Sequence, residues 1–255
     1  MKSNDILKKL EEVAPVALSD EFCKKYSMYD NSGIIIDCGT NVTGALFSLD
    51  LSKGAVEEAK ARGFNLIVTH HPAIYGGVSR INSDDPIALC IKRGISVISM
   101  HLNFDAAPHG IDFHLMKGLG GSEAQILCQL SDGGYGRVYS VQSIRFGEYL
   151  KQVKNTFSAR TLGYGSADKQ ITKVASFCGA GCDDNAINFA IKNGADVFVS
   201  SDLKHHEIAG LLQKGINVIH LTHYSAENYG FNKIYNQISA GLGVPSAYFT
   251  DENLI

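Results

Sequence analysis

The sequence predicts an α/β protein with two similar lobes from an internal duplication, each a mostly parallel sheet with flanking helices. Three observations support this. Short, glycine-bounded apolar runs alternate with helix-spaced stretches; the same order returns in the second half; and 255 residues with 45% hydrophobic side chains suffice for two cores.

The elements follow in order. Residues 7–13 read as a helix that must stop before Pro15, whose ring cannot continue it. The runs 33–36 and 44–49 read as strands, and 54–62 (GAVEEAKAR) as a helix stopped by Gly63. A buried-type strand, 65–69, then runs straight into His70-His71-Pro72. Residues 84–93 have helical spacing with Gly94 as the stop, and a strand at 95–100 leads to His101-Leu-Asn-Phe-Asp105.

The second half repeats this pattern. Ala55 to His70 aligns without a gap onto Ala186 to Ser201 at a constant offset of 131, with helix, glycine and strand coinciding. The spacing of His101 and Asp105 recurs in His223 and Glu227. The turn at 118–121 is the expected boundary, which makes 1–120 the first lobe and 121–255 the second, the two open to intertwining.

Lys+Arg 23 against Asp+Glu 26 gives a net charge of -3, with no basic field to grip a nucleic-acid backbone, so generic nucleic-acid binding is not expected. No apolar run approaches the ~20 residues that span a bilayer, and the charged start MKSNDILKKLEE lacks the apolar core of a secretory signal. A soluble cytoplasmic protein without membrane contact is the expectation. The six scattered cysteines read as reduced thiols, and the pair Cys178 and Cys182 has no second pair to complete a zinc site.

Six of nine histidines fall at or just after strand ends: His70, His71, His101, His205, His206 and His223. Ligands of open α/β sheets bind beyond the carboxyl ends of the strands, so these imidazoles, with Asp105 and Glu227, point to divalent metal: Zn, Fe, Mn, Co or Ni. Adjacent side chains leaving a strand diverge, so His70 and His71 suit two different ions, a dinuclear site. His101 admits either a ligand role or a supporting hydrogen bond. Asp202 and His206 can orient substrate or support the ligands, and His109 and His114 read as surface or capping groups. Cys178-Gly-Ala-Gly-Cys182, ahead of a helix at 185–192, admits an anion at the helix start or a turn capped by Asp183 or Asp184. There is no phosphate loop, HExxH helix, GxSxG elbow or GxGxxG fingerprint.

Five stretches in order, Tyr29-Asp-Asn-Ser-Gly33, FNLIVTHHP, ISMHLNFDAAPHGID, VFVSSDLKHHE and THYSAE, resemble the dinuclear metal-centre hexameric proteins called GTP cyclohydrolase I type 2 homologues, the Nif-three-like family. The resemblance implies that His71 and Asp105 ligate one ion, His70 and His223 the second, and that Glu227 bridges them. It further implies a metal site between the lobes and a toroidal homohexamer with the sites facing an internal cavity. Thr222 and Ser201 replace glycines of the usual pattern without removing a ligand.

Two functions compete. One is a metal-dependent hydrolase, cyclohydrolase-like or phosphoesterase-like, acting on a nucleotide or phosphoester. The other is a non-catalytic hexameric scaffold that carries or senses metal. Turnover separates them.

Overall fold

The computed structural model describes all residues, 1–255. In chain order the elements are α1 (Ser3–Glu11), α2 (Ala17–Tyr26), β1 (Gly33–Ile36), β2 (Ala45–Ser48), α3 (Lys53–Ala61), β3 (Leu66–Thr69), α4 (Pro86–Arg93), β4 (Ser96–Ser99), α5 (Leu102–Ala106) and α6 (Ile111–Gly118). There follow β5 (Ala124–Gln129), β6 (Gly134–Arg145), α7 (Phe146–Phe157), β7 (Thr161–Tyr164), β8 (Gln170–Ser176), α8 (Asp184–Lys192), β9 (Val197–Ser200), α9 (His205–Gln213), β10 (Asn217–Leu221), α10 (His223–Ile238) and β11 (Ser246–Phe249). The chain divides into two compact units, 1–110 with 231–251, and 111–230 with 252–255.

In the first unit a five-stranded sheet has the order β1-β4-β3-β2-β11, parallel except for β1. Strands β2, β3 and β4 are buried at every position, which is why they read as continuous apolar runs. Leu46, Ile67 and Val97 pack against Ala55, Val56 and Ala59 of α3 and Cys90 of α4. Elsewhere in the unit Phe231 packs at a tilt against Phe47 and Phe104, at centroid distances of 6.1 and 5.9 Å. The first helix starts at Ser3, earlier than the apolar spacing indicates, because the Lys2 N–H donates to Asp5 Oδ2 at 2.8 Å and closes the first turn.

The second unit holds a six-stranded sheet, β5-β6-β8-β9-β10-β7. Only β8-β9-β10 pair in parallel, so this sheet departs from the mostly parallel pairing expected of it. For β5 and β6 the reason is local. Residues 130–133 are all that join β5 to β6, and so short a connection returns the chain antiparallel. Phe177, Phe198 and Val218 pack with Ala186, Ala190 and Leu211 from α8 and α9.

The duplication is visible in the strands. β3-α4-β4 and β9-α9-β10 have the same order, and an antiparallel strand flanks each, β1 on β4 and β7 on β10. Ser52 caps α3 by accepting from Ala55 N at 3.1 Å, and Asp183, at the equivalent position, caps α8 by accepting from Ala186 N at 2.7 Å. Gly63 and Gly194 close the two helices in the left-handed conformation, φ 70 and 67°.

Candidate metal centre

Register places the first donors. Ser48 pairs with Thr69 and Thr69 with Ser99, so the residues following β2, β3 and β4 leave the sheet side by side. Leu49-Asp50, His70-His71 and Met100-His101 therefore emerge in one row, tied by donation from both His70 N and His71 N to the Leu49 carbonyl at 3.1 and 3.0 Å. The ligand atoms of His70, His71 and His101 all lie within 4.8 Å of one another.

Each of these rings is held through Nδ1. His71 Nδ1 donates to Asp50 Oδ1 at 2.7 Å, His101 Nδ1 to Asp30 Oδ1 at 2.7 Å, and His70 Nδ1 to the Met100 carbonyl at 3.0 Å. A carboxylate and a carbonyl only accept, so the proton sits on Nδ1 and the lone pair on Nε2. Burial works against charge on Asp30, but hydrogen bonds from His101 and Ser32 outweigh it and hold the carboxyl at about 2. His70 is fully buried, and its Nε2 lies 3.6 Å from Oδ1 of Asp105, itself 5% exposed.

The second unit supplies its own set. His223 opens α10, and Glu227 stands one turn further on the same face. His223 Nδ1 donates to Asp202 Oδ2 at 2.6 Å, and His223 Nε2 lies 2.9 Å from Glu227 Oε2. Glu227 is 2% exposed.

Behind this pair stands a buried network. Asp112 of α6 bonds Arg137, accepts from Gly136 N at 3.0 Å through Oδ2 and from Cys178 N at 3.1 Å through Oδ1. Burial pushes the Asp112 carboxyl up while Arg137 and the two backbone N–H groups pull against it.

Every residue expected as a ligand thus lies in one of two donor sets: His70, His71 and Asp105 in the first unit, His223 and Glu227 in the second. His101 joins the first set. Asp202 takes the orienting role, while His205 and His206 open α9 with exposed side chains. The sequence reading missed Asp30 and Asp50. Asp30 lies inside the stretch Tyr29-Asp-Asn-Ser-Gly33, which had been noted without a role; nothing local marks Asp50. Asp183 caps α8, so the loop ahead of it is a capped turn. The cysteines are free, and burial pushes Cys90 and Cys182 up to about 12. No helix is long and apolar enough to cross a membrane.

The chain is similar to a Clostridium perfringens protein named GTP cyclohydrolase 1 type 2 homolog, 31% identical over 89% of this chain and 87% of that one. Its fold matches a Staphylococcus aureus hypothetical protein, TM-score 0.85 at 24% identity, over 98% of this chain and 97% of that one. It also matches reduced HcgD from Methanocaldococcus jannaschii, TM-score 0.81 at 25% identity, over 98% of both chains. The model of the Duf34/NIF3 (NGG1p interacting factor 3) family covers residues 1–251, and the chain belongs to that family.

Proposed function

We propose that the protein is a metal-dependent hydrolase whose centre holds two divalent ions through His70, His71, Asp105, His223 and Glu227. One observation carries this: four imidazoles, those of His70, His71, His101 and His223, are each anchored at Nδ1 by an acceptor oxygen and so present Nε2. Metal-binding histidines are characteristically oriented in this way. Neutral imidazoles with carboxylates suit Zn, Fe, Mn, Co or Ni.

The apportioning of ligands follows the first unit's geometry. His70, whose Nε2 lies 3.6 Å from Asp105 Oδ1, shares an ion with Asp105. The family resemblance implies instead that His71 shares this ion with Asp105. His71 and His223 then serve the second ion. Glu227, whose carboxylate offers two oxygens where an imidazole offers one lone pair, would be the residue that holds both ions. Such a pair of ions supplies Lewis acidity and a nucleophile from water at neutral pH. The residues of this chain fix the donors: Asp50, Asp30 and Asp202 hold the ring orientations.

The substrate class is a nucleotide or phosphoester, in keeping with the cyclohydrolase names of the relatives. The assembly is a closed homo-oligomer, a toroidal hexamer, and light scattering on a sizing column tests it; a monomer at micromolar concentration refutes it. Elemental analysis of protein purified without a chelating tag should find more than one metal per chain, and a value near zero refutes the centre. Turnover of a nucleotide and phosphoester panel by metal-loaded protein, absent in His71→Ala, is the expected result for the hydrolase. Two bound ions with no turnover return the metal-carrying scaffold.

A further inference from the structure

The stretch Cys178-Gly-Ala-Gly-Cys182 is pinned more tightly than a turn between a strand and a helix requires. The Cys178 N–H donates to Asp112 Oδ1 at 3.1 Å, and its carbonyl accepts from the Tyr135 hydroxyl at 2.6 Å. The Gly179 carbonyl accepts from Ser200 Oγ and from Ser201 N, each at 3.2 Å. Both peptide groups flanking the Gly179 Cα are thereby fixed.

The side chain missing at Gly179 has a direct consequence. Gly179 has φ 59°, and a Cβ built on it would lie 2.5 Å from Glu227 Oε1 and 3.4 Å from His223 Nε2. The first separation is shorter than real Cβ contacts. Gly181 is needed for a companion reason: a Cβ there would run into the Tyr135 hydroxyl that reaches Cys178.

The duplication gives Gly179 a counterpart. Phe47 pairs with Val68 and Ser176 with Val199, and Val68 and Val199 are equivalent at the offset of 131. Three residues beyond Phe47 and Ser176 stand Asp50 and Gly179. In the first unit a side chain at this position orients His71; in the second its absence lets backbone stand against Glu227.

We propose that the Cys178–Cys182 loop is the device that positions the Glu227 carboxylate, with the Gly179 backbone as a fixed wall that sets its rotamer. Gly179 is then a positioning residue for metal capture, supported by Asp112 and Tyr135. A glutamate that links two cations must hold both oxygens in place, and ordering a free side chain costs conformational entropy that a preformed wall removes. This inference rests on the metal centre proposed above.

The test compares Gly179→Ala with Gly215→Ala in the full chain. Gly215, in the turn from α9 to β10, also has a left-handed backbone, φ 77°, but nothing lies within 4 Å of its built Cβ. It isolates backbone strain from collision with Glu227. Binding is read by manganese titration, integrity by thermal unfolding of the metal-free protein, and the Glu227 carboxylate by metal-free crystal structures.

Gly179→Ala should weaken manganese binding about tenfold or more relative to Gly215→Ala, with similar thermal shifts in the two variants and a displaced Glu227 carboxylate. Wild-type manganese affinity in Gly179→Ala, or an unmoved carboxylate, overturns the proposal. If Gly179→Ala does not fold, Tyr135→Phe decides, because it removes one anchor of the loop. A several-fold weaker affinity supports the proposal, and unchanged affinity with Glu227 unmoved overturns it. A wild-type protein that binds no divalent metal refutes the metal centre, and the metal-free carboxylate position then tests the wall by itself.

Discussion

The two units use one backbone plan for different chemistry. α3-β3-α4-β4-α5 and α8-β9-α9-β10-α10 share cap positions, helix-stopping glycines and parallel register, yet where β3 ends in His70-His71, β9 ends in Ser201-Asp202. The first unit brings three imidazoles together. The second sets one, His223, beside Glu227, and the residue equivalent to His71 becomes Asp202, the carboxylate that orients His223. A duplicated strand end keeps the direction in which side chains leave the sheet, while the residue there differs: His71 in the first unit, and in the second Asp202, which accepts from His223 Nδ1.

The second unit also contains a buried ion pair behind its donors. Asp112→Ala should lose roughly 3–5 kcal/mol in urea unfolding, because Arg137, 3% exposed, keeps its charge without a partner. A loss below about 1 kcal/mol would remove this difference between the units. Glu227→Gln should weaken both ions together by removing the charge that offsets two dications, whereas His70→Ala should impair mainly the ion shared with Asp105. Metal titration separates the two, and a Glu227→Gln protein with two tightly held ions places the bridge elsewhere.

The orienting carboxylates give the most direct test of equivalence. Asp50→Asn and Asp202→Asn should each weaken metal binding by roughly 10–100-fold, since each fixes the ring of a histidine proposed as a ligand. An effect in only one would show that the two units orient their histidines differently. Asp30 adds a pH dependence. Its carboxyl is lowered from 3.8 to about 2, so its contribution is complete above pH 3.8 and fades as pH falls toward 2. Asp30→Asn should remove at most roughly 2 kcal/mol at neutral pH and flatten that acid limb in thermal melts, an effect absent if the carboxylate is not ionised in the fold. The smallest effect concerns the caps. Ser52→Ala and Asp183→Ala should each cost about 1 kcal/mol, and a matched pair of values would show that the duplicated helix starts remain energetically alike.

Much of this was legible in the chain. Apolar runs, cap residues and helix-stopping glycines are local signals, and β2, β3, β4, β9 and the helices α3, α4 and α8 lie where those signals put them. The strand-end histidines were legible for the same reason, because a residue that follows a buried strand must leave the sheet at its carboxyl edge. The gapless offset of 131 exposed the duplication. Less local features were not legible. The antiparallel additions to the second sheet depend on which edges remain open, and the ring orientations depend on Asp30 and Asp50, which meet His101 and His71 across 71 and 21 residues of chain.

By itself, then, the sequence determined the alternation of helix and strand, the repeat, and the residue types gathered at the strand ends, because periodicity and capping act over a few residues. Register and long-range contacts added which acceptor holds each ring at Nδ1 and how closely the backbone at Gly179 approaches Glu227. Those features come from contacts between segments distant in the chain, such as the hydrogen bond from His70 to the Met100 carbonyl and the approach of Gly179 to Glu227.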